Sequence, residues 1–117
     1  MAAPNIVNVS TIYGKTAAAA VTTTASALVT NASSSGKVIK VNSVYVSNVN
    51  GSTAADFTLD IYRGATAYRV ANLVSVPAKT VLDVVNKSFY LEEGDVLRVT
   101  ASANSYLEVA CSYEEIS

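Results

Sequence analysis

The stretch DFTLDI at residues 56–61 alternates polar and apolar side chains along its whole length. Phe57, Leu59 and Ile61 share one side of an extended chain, and the polar residues share the other, as in a strand with one buried and one solvated face. The same alternation occurs at residues 97–101 (LRVTA) and 107–113 (LEVACSY). These stretches predict three strands, and the short turn at residues 103–105 predicts that the last two form an antiparallel hairpin.

Outside these stretches the sequence also favours strands. Residues 37–49 are apolar enough for a central strand. Their alternation slips near Asn42 and Ser43, which indicates either a β-bulge or burial of both faces. Residues 68–76 and 80–85 predict two more strands on either side of Pro77. Residues 16–31 combine alanines with threonines but lack a helical apolar stripe, so they too are predicted to be strand. The small polar run at residues 31–36, NASSSG, predicts a flexible loop.

The chain of 117 residues has the size of one domain. About eight short strands without a helical crossover predict an all-β fold, an antiparallel β-sandwich of jelly-roll type. A small closed β-barrel is the alternative. Residues 1–117 are expected to form a single β-sandwich domain, in which residues 1–13 provide either a first strand or an extended arm that ends at Gly14 and Lys15.

Composition argues against several classes of partner. Eight basic and nine acidic residues nearly cancel, so there is no broad positive field for nucleic acid or an anionic membrane. No stretch approaches the roughly 18 apolar residues of a membrane helix, and the first residues lack the pattern of a signal peptide. The single cysteine, Cys111, lies on the apolar side of its predicted strand and is expected to be a core residue.

The sequence also argues against an enzyme. Histidine is absent, so mechanisms that use a Ser/His/Asp or Cys/His arrangement are excluded, and no phosphate-binding glycine loop is present. The one concentration of charge is Glu92-Glu93-Gly94-Asp95, which is predicted to be a solvated hairpin turn. Calcium held by Glu92 and Asp95 is the alternative. The prediction is a protein without catalytic residues, cofactor or metal.

Three segments carry a resemblance to a known class of protein. They are SGKVIKVNSVYVSNVNGSTAADFTLDIYR (residues 35–63), SVPAKTVLDVV (residues 75–85) and FYLEEGDVLRVTASANSYLEVACSYEEIS (residues 89–117). Together they resemble the small β-rich virion structural proteins of tailed bacteriophages, particularly those that infect marine cyanobacteria. These segments are strand and turn sequences without a catalytic signature.

The resemblance implies a non-enzymatic protein made in the host cytoplasm and assembled onto the virion. The implied role is a capsid decoration or cement protein that binds the major capsid protein or other virion proteins as a homo-oligomer, with a trimer favoured. A neck, tail or fibre-base component is the first alternative. A β-sandwich that binds a host glycan is the second, although such a site would be expected to use tryptophan, which is absent.

The two terminal segments are the candidate protein interface because they are rich in apolar and aromatic side chains and could add strands to the sheet edge of a partner. An equally good interpretation is that they complete the domain's own sandwich. The candidate residues are Ile6, Val7, Val9, Ile12, Tyr13, Tyr113 and Ile116. The other tyrosines are interpreted mainly as residues that cover the sheet surface.

Overall fold

The computed structural model describes Asn5 and residues 8–117, and every regular element in this part of the chain is a β-strand. The predicted all-β class is therefore confirmed. No helix that could cross a membrane occurs among the described residues. The nine strands of the described part are β1 (Ile12–Ala20), β2 (Ser26–Thr30), β3 (Val38–Asn48), β4 (Ala55–Arg63), β5 (Thr66–Val76), β6 (Val81–Asp83), β7 (Phe89–Leu91), β8 (Val96–Ala101) and β9 (Leu107–Ile116).

The strands form two antiparallel sheets. Sheet A has the order β1-β9-β3, and β6 and β7 both pair with the remaining edge of β3. Sheet B has the order β2-β8-β4-β5. Because β6 and β7 occupy successive stretches of one edge, they act as one interrupted strand, and each sheet then has four strands wound as in a jelly roll. The predicted sandwich is confirmed. The alternative of a closed barrel is wrong because, within the described residues, the strands form two separate sheets and neither sheet closes on itself.

The core lies between the two sheets. The apolar positions of the three alternating stretches all point into it: Phe57 and Leu59 from β4, Leu97 and Val99 from β8, and Leu107, Val109 and Cys111 from β9 are at most 3% exposed. Burial of one such Leu or Phe side chain stabilises the fold by about 1.5–3 kcal/mol. The alternation in the sequence thus identified the buried faces correctly.

The predicted hairpins are wrong. Strand β8 belongs to sheet B and β9 to sheet A, so the turn at residues 103–105 carries the chain across the core, and the turn between β7 and β8 does the same. A short polar turn has similar composition whether it closes a hairpin or joins two sheets. The hairpin that does form joins β4 to β5 through Gly64 and Ala65, whose φ angles of 58° and 63° are those of a type I′ turn.

The N-terminal half shows one confirmed irregularity and one error. Strand β3 shifts register between Val41 and Ser43 in its pairing with β9, which is the bulge, the first of the two explanations for the slip. Strand β1 runs through Gly14 and Lys15, so the predicted break there is wrong. Gly14 lies on an exposed edge where an added Cβ would meet nothing within 4 Å, and such a position tolerates glycine without ending the strand. Residues 16–31 are mostly strand, as predicted, but they supply parts of β1 and β2.

Candidate protein-binding surfaces

The acidic turn is built around an ion pair. The Asp95 carboxylate is 2% exposed and accepts hydrogen bonds from Nε of Arg63 at 2.7 Å, from Nη2 of Arg63 at 2.5 Å and from the Glu92 amide at 2.8 Å. Glu92 is 70% exposed and accepts a weaker contact from Arg63 at 3.1 Å. The predicted solvated carboxylates are therefore wrong for Asp95, because the pairing of Tyr62 with Val96 brings the end of β4 beside the start of β8.

The ion pair keeps Asp95 charged. Burial alone would raise the pKa of Asp95, but the hydrogen bond from Arg63, the bond from the Glu92 amide and the positive charge of Arg63 together lower this pKa below its ordinary value. The same contact raises the pKa of Arg63. A general acid needs the opposite shift. A calcium ion at Glu92 and Asp95 would have to compete with Arg63, and the described residues contain no group of three or more His, Cys, Asp or Glu side chains that could hold a metal.

The turn is fastened to the loop at residues 31–37 through Asn31, which is 2% exposed. The side-chain Nδ2 of Asn31 donates to the carbonyl oxygens of Lys37 at 2.9 Å and Leu91 at 3.0 Å, and its Oδ1 accepts from Ser35 Oγ at 2.5 Å. Glu93 accepts a bond from the amide of Gly36 at 2.7 Å. The predicted flexible loop is therefore an ordered one. Small polar side chains are typical of mobile loops, but they also satisfy buried main-chain groups.

A second buried asparagine holds the β3–β4 connection in the same way. The side-chain Nδ2 of Asn48 donates to the carbonyl oxygens of Thr53 at 3.0 Å and Val76 at 2.9 Å, and its Oδ1 accepts from the backbone N–H of Asn50 at 2.9 Å. Neither asparagine was singled out by sequence, since asparagine beside a turn is ordinary. These two residues and the Arg63–Asp95 pair hold the loops at the ends of the sandwich in place.

The structure separates the residues of the predicted interface. Ile6 and Val7 lie outside the described residues. Val9 and Tyr113 are half-buried, Ile116 is 6% exposed, and Ile12 and Tyr13 are 56% and 58% exposed. Strand β9 has β1 on one side and β3 on the other, so residues 113–116 form part of this domain's own sheet A, as in the second interpretation of the terminal segments. Among the described residues, β1 pairs with β9 alone and presents an open edge on its other side.

An apolar patch lies on the outer face of sheet A. Tyr45 is 47% exposed and Val81 is 60% exposed, and both line a shallow, largely apolar depression of about 230 Å³. The other outward-facing residues of its lining are Ala18, Ala110, Ser47 and the exposed Glu108. Tyr90, 41% exposed, is carried by β7 of the same sheet. Exposed aromatic and aliphatic side chains of this kind are typical of contacts with other proteins. We call Tyr45, Val81, Ala18 and Ala110 the sheet A patch.

The outer face of sheet B is more polar. Asp60 was predicted to lie on a solvated face, but it is 4% exposed. Arg98 of the neighbouring strand covers it and donates hydrogen bonds of 2.9 and 3.3 Å to its carboxylate. The Arg98 guanidinium also stacks 4.1 Å from the centre of the Tyr62 ring. The pairing of Asp60 with Arg98 across two strands could be recognised only once the register of β4 and β8 was known. Leu73 stands beside this face, 62% exposed and at a φ of 52°.

Cys111 is a core residue, as predicted. Its side chain is fully buried, and burial raises the pKa of its thiol to about 11. A thiol that is neutral and shielded from solvent is a poor nucleophile and a poor partner for disulfide exchange. The one cysteine of the chain is therefore unsuited to linking this protein covalently to a neighbour.

Comparison with known proteins bears on the fold. No family model and no curated protein matches the chain. A chain from the Bacillus endospore appendages, described as disulfide-linked pili, is 16% identical, covers 92% of this chain and 88% of its own length, and superposes with a TM-score of 0.53. A chain from the acid-stable capsid structure of Helicobacter pylori bacteriophage KHP30 is 11% identical, covers 94% and 90%, and has a TM-score of 0.57. The chain is thus similar in fold, along nearly its whole length, to subunits of two large assemblies.

Proposed function

We propose that this protein is a non-enzymatic structural component of a phage virion that binds the major capsid shell from outside and stabilises it as a decoration or cement protein. The observation that carries the proposal is the sheet A patch, a largely apolar exposed surface on the outer face of the β-sandwich, with Glu108 at its margin. The sequence resemblance to small phage virion proteins and the fold similarity to a chain of a phage capsid structure both support it.

The physical basis is burial of surface between neighbouring subunits. A shell is stabilised when an added protein covers apolar surface on two capsid subunits at once, because separation of the subunits then exposes that surface to water. In the sheet A patch, Tyr45 offers an aromatic ring with a hydroxyl group that can form a hydrogen bond to a partner, and Val81 offers an aliphatic side chain beside it. The buried asparagines and the Arg63–Asp95 pair keep the sandwich ends ordered, so little ordering cost is expected on binding.

The other assembly with a similar fold suggests a different use, a covalently linked fibre. The pili of the Bacillus appendages are described as disulfide-linked. Here the single cysteine is fully buried, so a subunit has no exposed thiol for such a link. Non-covalent docking through a surface patch therefore fits this chain better than a disulfide-linked fibre.

The test uses shells that lack the protein. Purified protein added to such shells is expected to bind to saturation at a fixed number per shell and to raise the temperature at which the shells fall apart. Val81→Asp should weaken this binding because it replaces an aliphatic side chain of the sheet A patch with a second negative charge in the depression that Glu108 also lines. Val70→Asp is the matched control, since Val70 is also exposed, at 43%, but lies on β5 of the opposite sheet.

Other outcomes would select the alternatives. Binding without a rise in disruption temperature would contradict cementing and leave a display role. If the protein does not bind shells, and a cryo-EM map of the particle places it at the neck, tail or fibre base, the role of a neck, tail or fibre-base component is favoured. Selective binding on a glycan array, abolished by changes on the outer face of sheet B, would favour host attachment.

A further inference from the structure

The main chain of β1 alternates between bonds to β9 and groups that face outwards. Thr11 and Ser117 exchange two bonds of 2.9 Å, and the amide of Val21 donates to the carbonyl of Leu107 at 2.9 Å. In an antiparallel ladder every second residue bonds to the same neighbour. The odd-numbered residues of β1 therefore bond to β9, and the even-numbered residues direct their N–H and C=O groups to the open edge of sheet A. These are Ile12, Gly14, Thr16, Ala18 and Ala20.

Among the sheet edges in the described part of the chain, the β1 edge stands out as long and regular. The β2 edge has five residues and a register shift between Ala27 and Val29. The β5 edge has two register shifts in its pairing with β4, and the remaining edge is divided between β6 and β7, which have three residues each. Short, bulged or interrupted edges resist pairing with another chain. Strand β1 has nine residues and no register shift.

The one charge on β1 does not protect its edge. Lysine on an edge strand commonly blocks the approach of another strand. The Lys15 ammonium group instead donates to Glu115 at 3.2 Å, and Lys37 donates to the same carboxylate at 3.0 Å. Lys15 is thus held over β9, on the side away from the open edge, and the edge remains accessible.

We infer that β1 pairs antiparallel with β1 of a second copy, with Thr16 opposite Thr16 on the two-fold axis. In this register even-numbered residues face even-numbered residues, so each such pair exchanges two main-chain bonds. The strand has its large side chains at one end and alanines at the other, and the two-fold axis places Ile12 opposite Ala20 and Tyr13 opposite Ala19 of the second copy. Each large side chain at one end of β1 therefore lies opposite an alanine of the second copy.

Charge fixes the register. Pairing centred on Thr16 places Lys15 opposite Ala17 of the second copy. Pairing centred on Lys15 would set two lysines directly opposite each other, which is unfavourable. Pairing centred on Ala17 would leave Ile12 beyond the end of the facing strand. The result is a two-fold dimer with one continuous sheet across both subunits, in place of the trimer favoured at the sequence level. The inference does not depend on the proposed virion role.

The test is a charge swap at the axis of the full-length protein, measured by sedimentation equilibrium. The wild-type protein is expected to dimerise. Thr16→Lys and Thr16→Glu should each weaken the dimer at least about tenfold, because each sets two like charges opposite each other, and an equal mixture of the two should recover a one-to-one dimer. Thr30→Lys and Thr30→Glu on the β2 edge are the matched controls and should leave the dimer unchanged.

A wild-type protein that stays monomeric at its highest attainable concentration overturns the inference, and so does a dimer that neither change at Thr16 weakens. A mixture that remains monomeric overturns the register. Far-UV circular dichroism verifies that each variant is folded. If the charged variants lose the β spectrum, Thr16→Pro serves instead, since it removes one outward N–H and leaves the bonds to β9 in place. A dimeric Thr16→Pro variant also contradicts the inference.

Discussion

Replacement of Asn31 by alanine is expected to lower the free energy of unfolding by about 3 kcal/mol. The Asn31 side chain donates to the buried carbonyl of Leu91 and to the part-buried carbonyl of Lys37, and it accepts from Ser35. Loss of the donor to a buried carbonyl costs about 1–3 kcal/mol, and loss of each bond that water can partly replace costs about 0.5–1 kcal/mol. For a domain of this size the sum corresponds to a fall in Tm of roughly 10 °C.

The measurement is urea unfolding followed by circular dichroism and tyrosine fluorescence, because the chain has seven tyrosines and no tryptophan. Asn48→Ala removes a matching set of bonds from the β3–β4 connection and should cost a similar amount. Asn86→Ala is the control, since Asn86 is exposed, and should change stability by less than about 0.5 kcal/mol. If Asn31→Ala costs no more than Asn86→Ala, the amide does not hold the loop, and the proposed rigidity of this end is wrong.

Three further predictions concern charge, thiol chemistry and backbone strain. Because the pKa of Asp95 is lowered in the fold, its contribution is present above the ordinary carboxyl pKa of about 4 and is lost as pH falls through the lower folded value; Asp95→Asn should therefore flatten the decline of Tm on acidification, and an unchanged slope contradicts this. Cys111 should not react with a thiol reagent at about pH 8 until urea unfolds the protein, because it is fully buried with a pKa of about 11; labelling of the native protein would show that the core opens. Ala65→Gly should raise stability by about 1 kcal/mol in thermal unfolding, because Ala65 holds a φ of 63°, whereas Ala54→Gly, at a position without positive φ, should lower it.

The strands could be predicted because the sandwich buries one face of each sheet. Alternation at residues 56–61 and 97–101 follows directly from contact with the core on one side and water on the other. The sequence of a strand does not show in the same way which of the two sheets the strand belongs to. Strands β8 and β9 both show the alternating pattern, but their buried faces oppose each other across the core, and a turn of the same length would serve a hairpin equally well.

The ion pairs lay outside prediction for a related reason. The acidic stretch is a turn, as predicted, and Gly94 in it has a positive φ of 91°. The partner of Asp95, however, is Arg63, which lies 32 residues away in sequence and meets it only because β4 and β8 are neighbours. Asp60 and Arg98 are 38 residues apart and meet for the same reason. The environment of each carboxylate depends on how the strands are paired, and this pairing cannot be predicted from the residues next to the carboxylate in sequence.

Strand order also decides which terminal segment can bind a partner. Ile12 and Ile116 face each other directly in the pairing of β1 with β9, and both were chosen as interface candidates for the same apolar character. Ile12 is 56% exposed and Ile116 is 6% exposed. The difference arises because β9 has a neighbour on each side, so Ile116 is flanked by Ile12 and Val38, whereas β1 has a neighbour on one side alone. Composition therefore proposes both segments alike, whereas within the described residues Ile12 and Tyr13 lie on an edge strand and Ile116 lies on a strand inside the sheet.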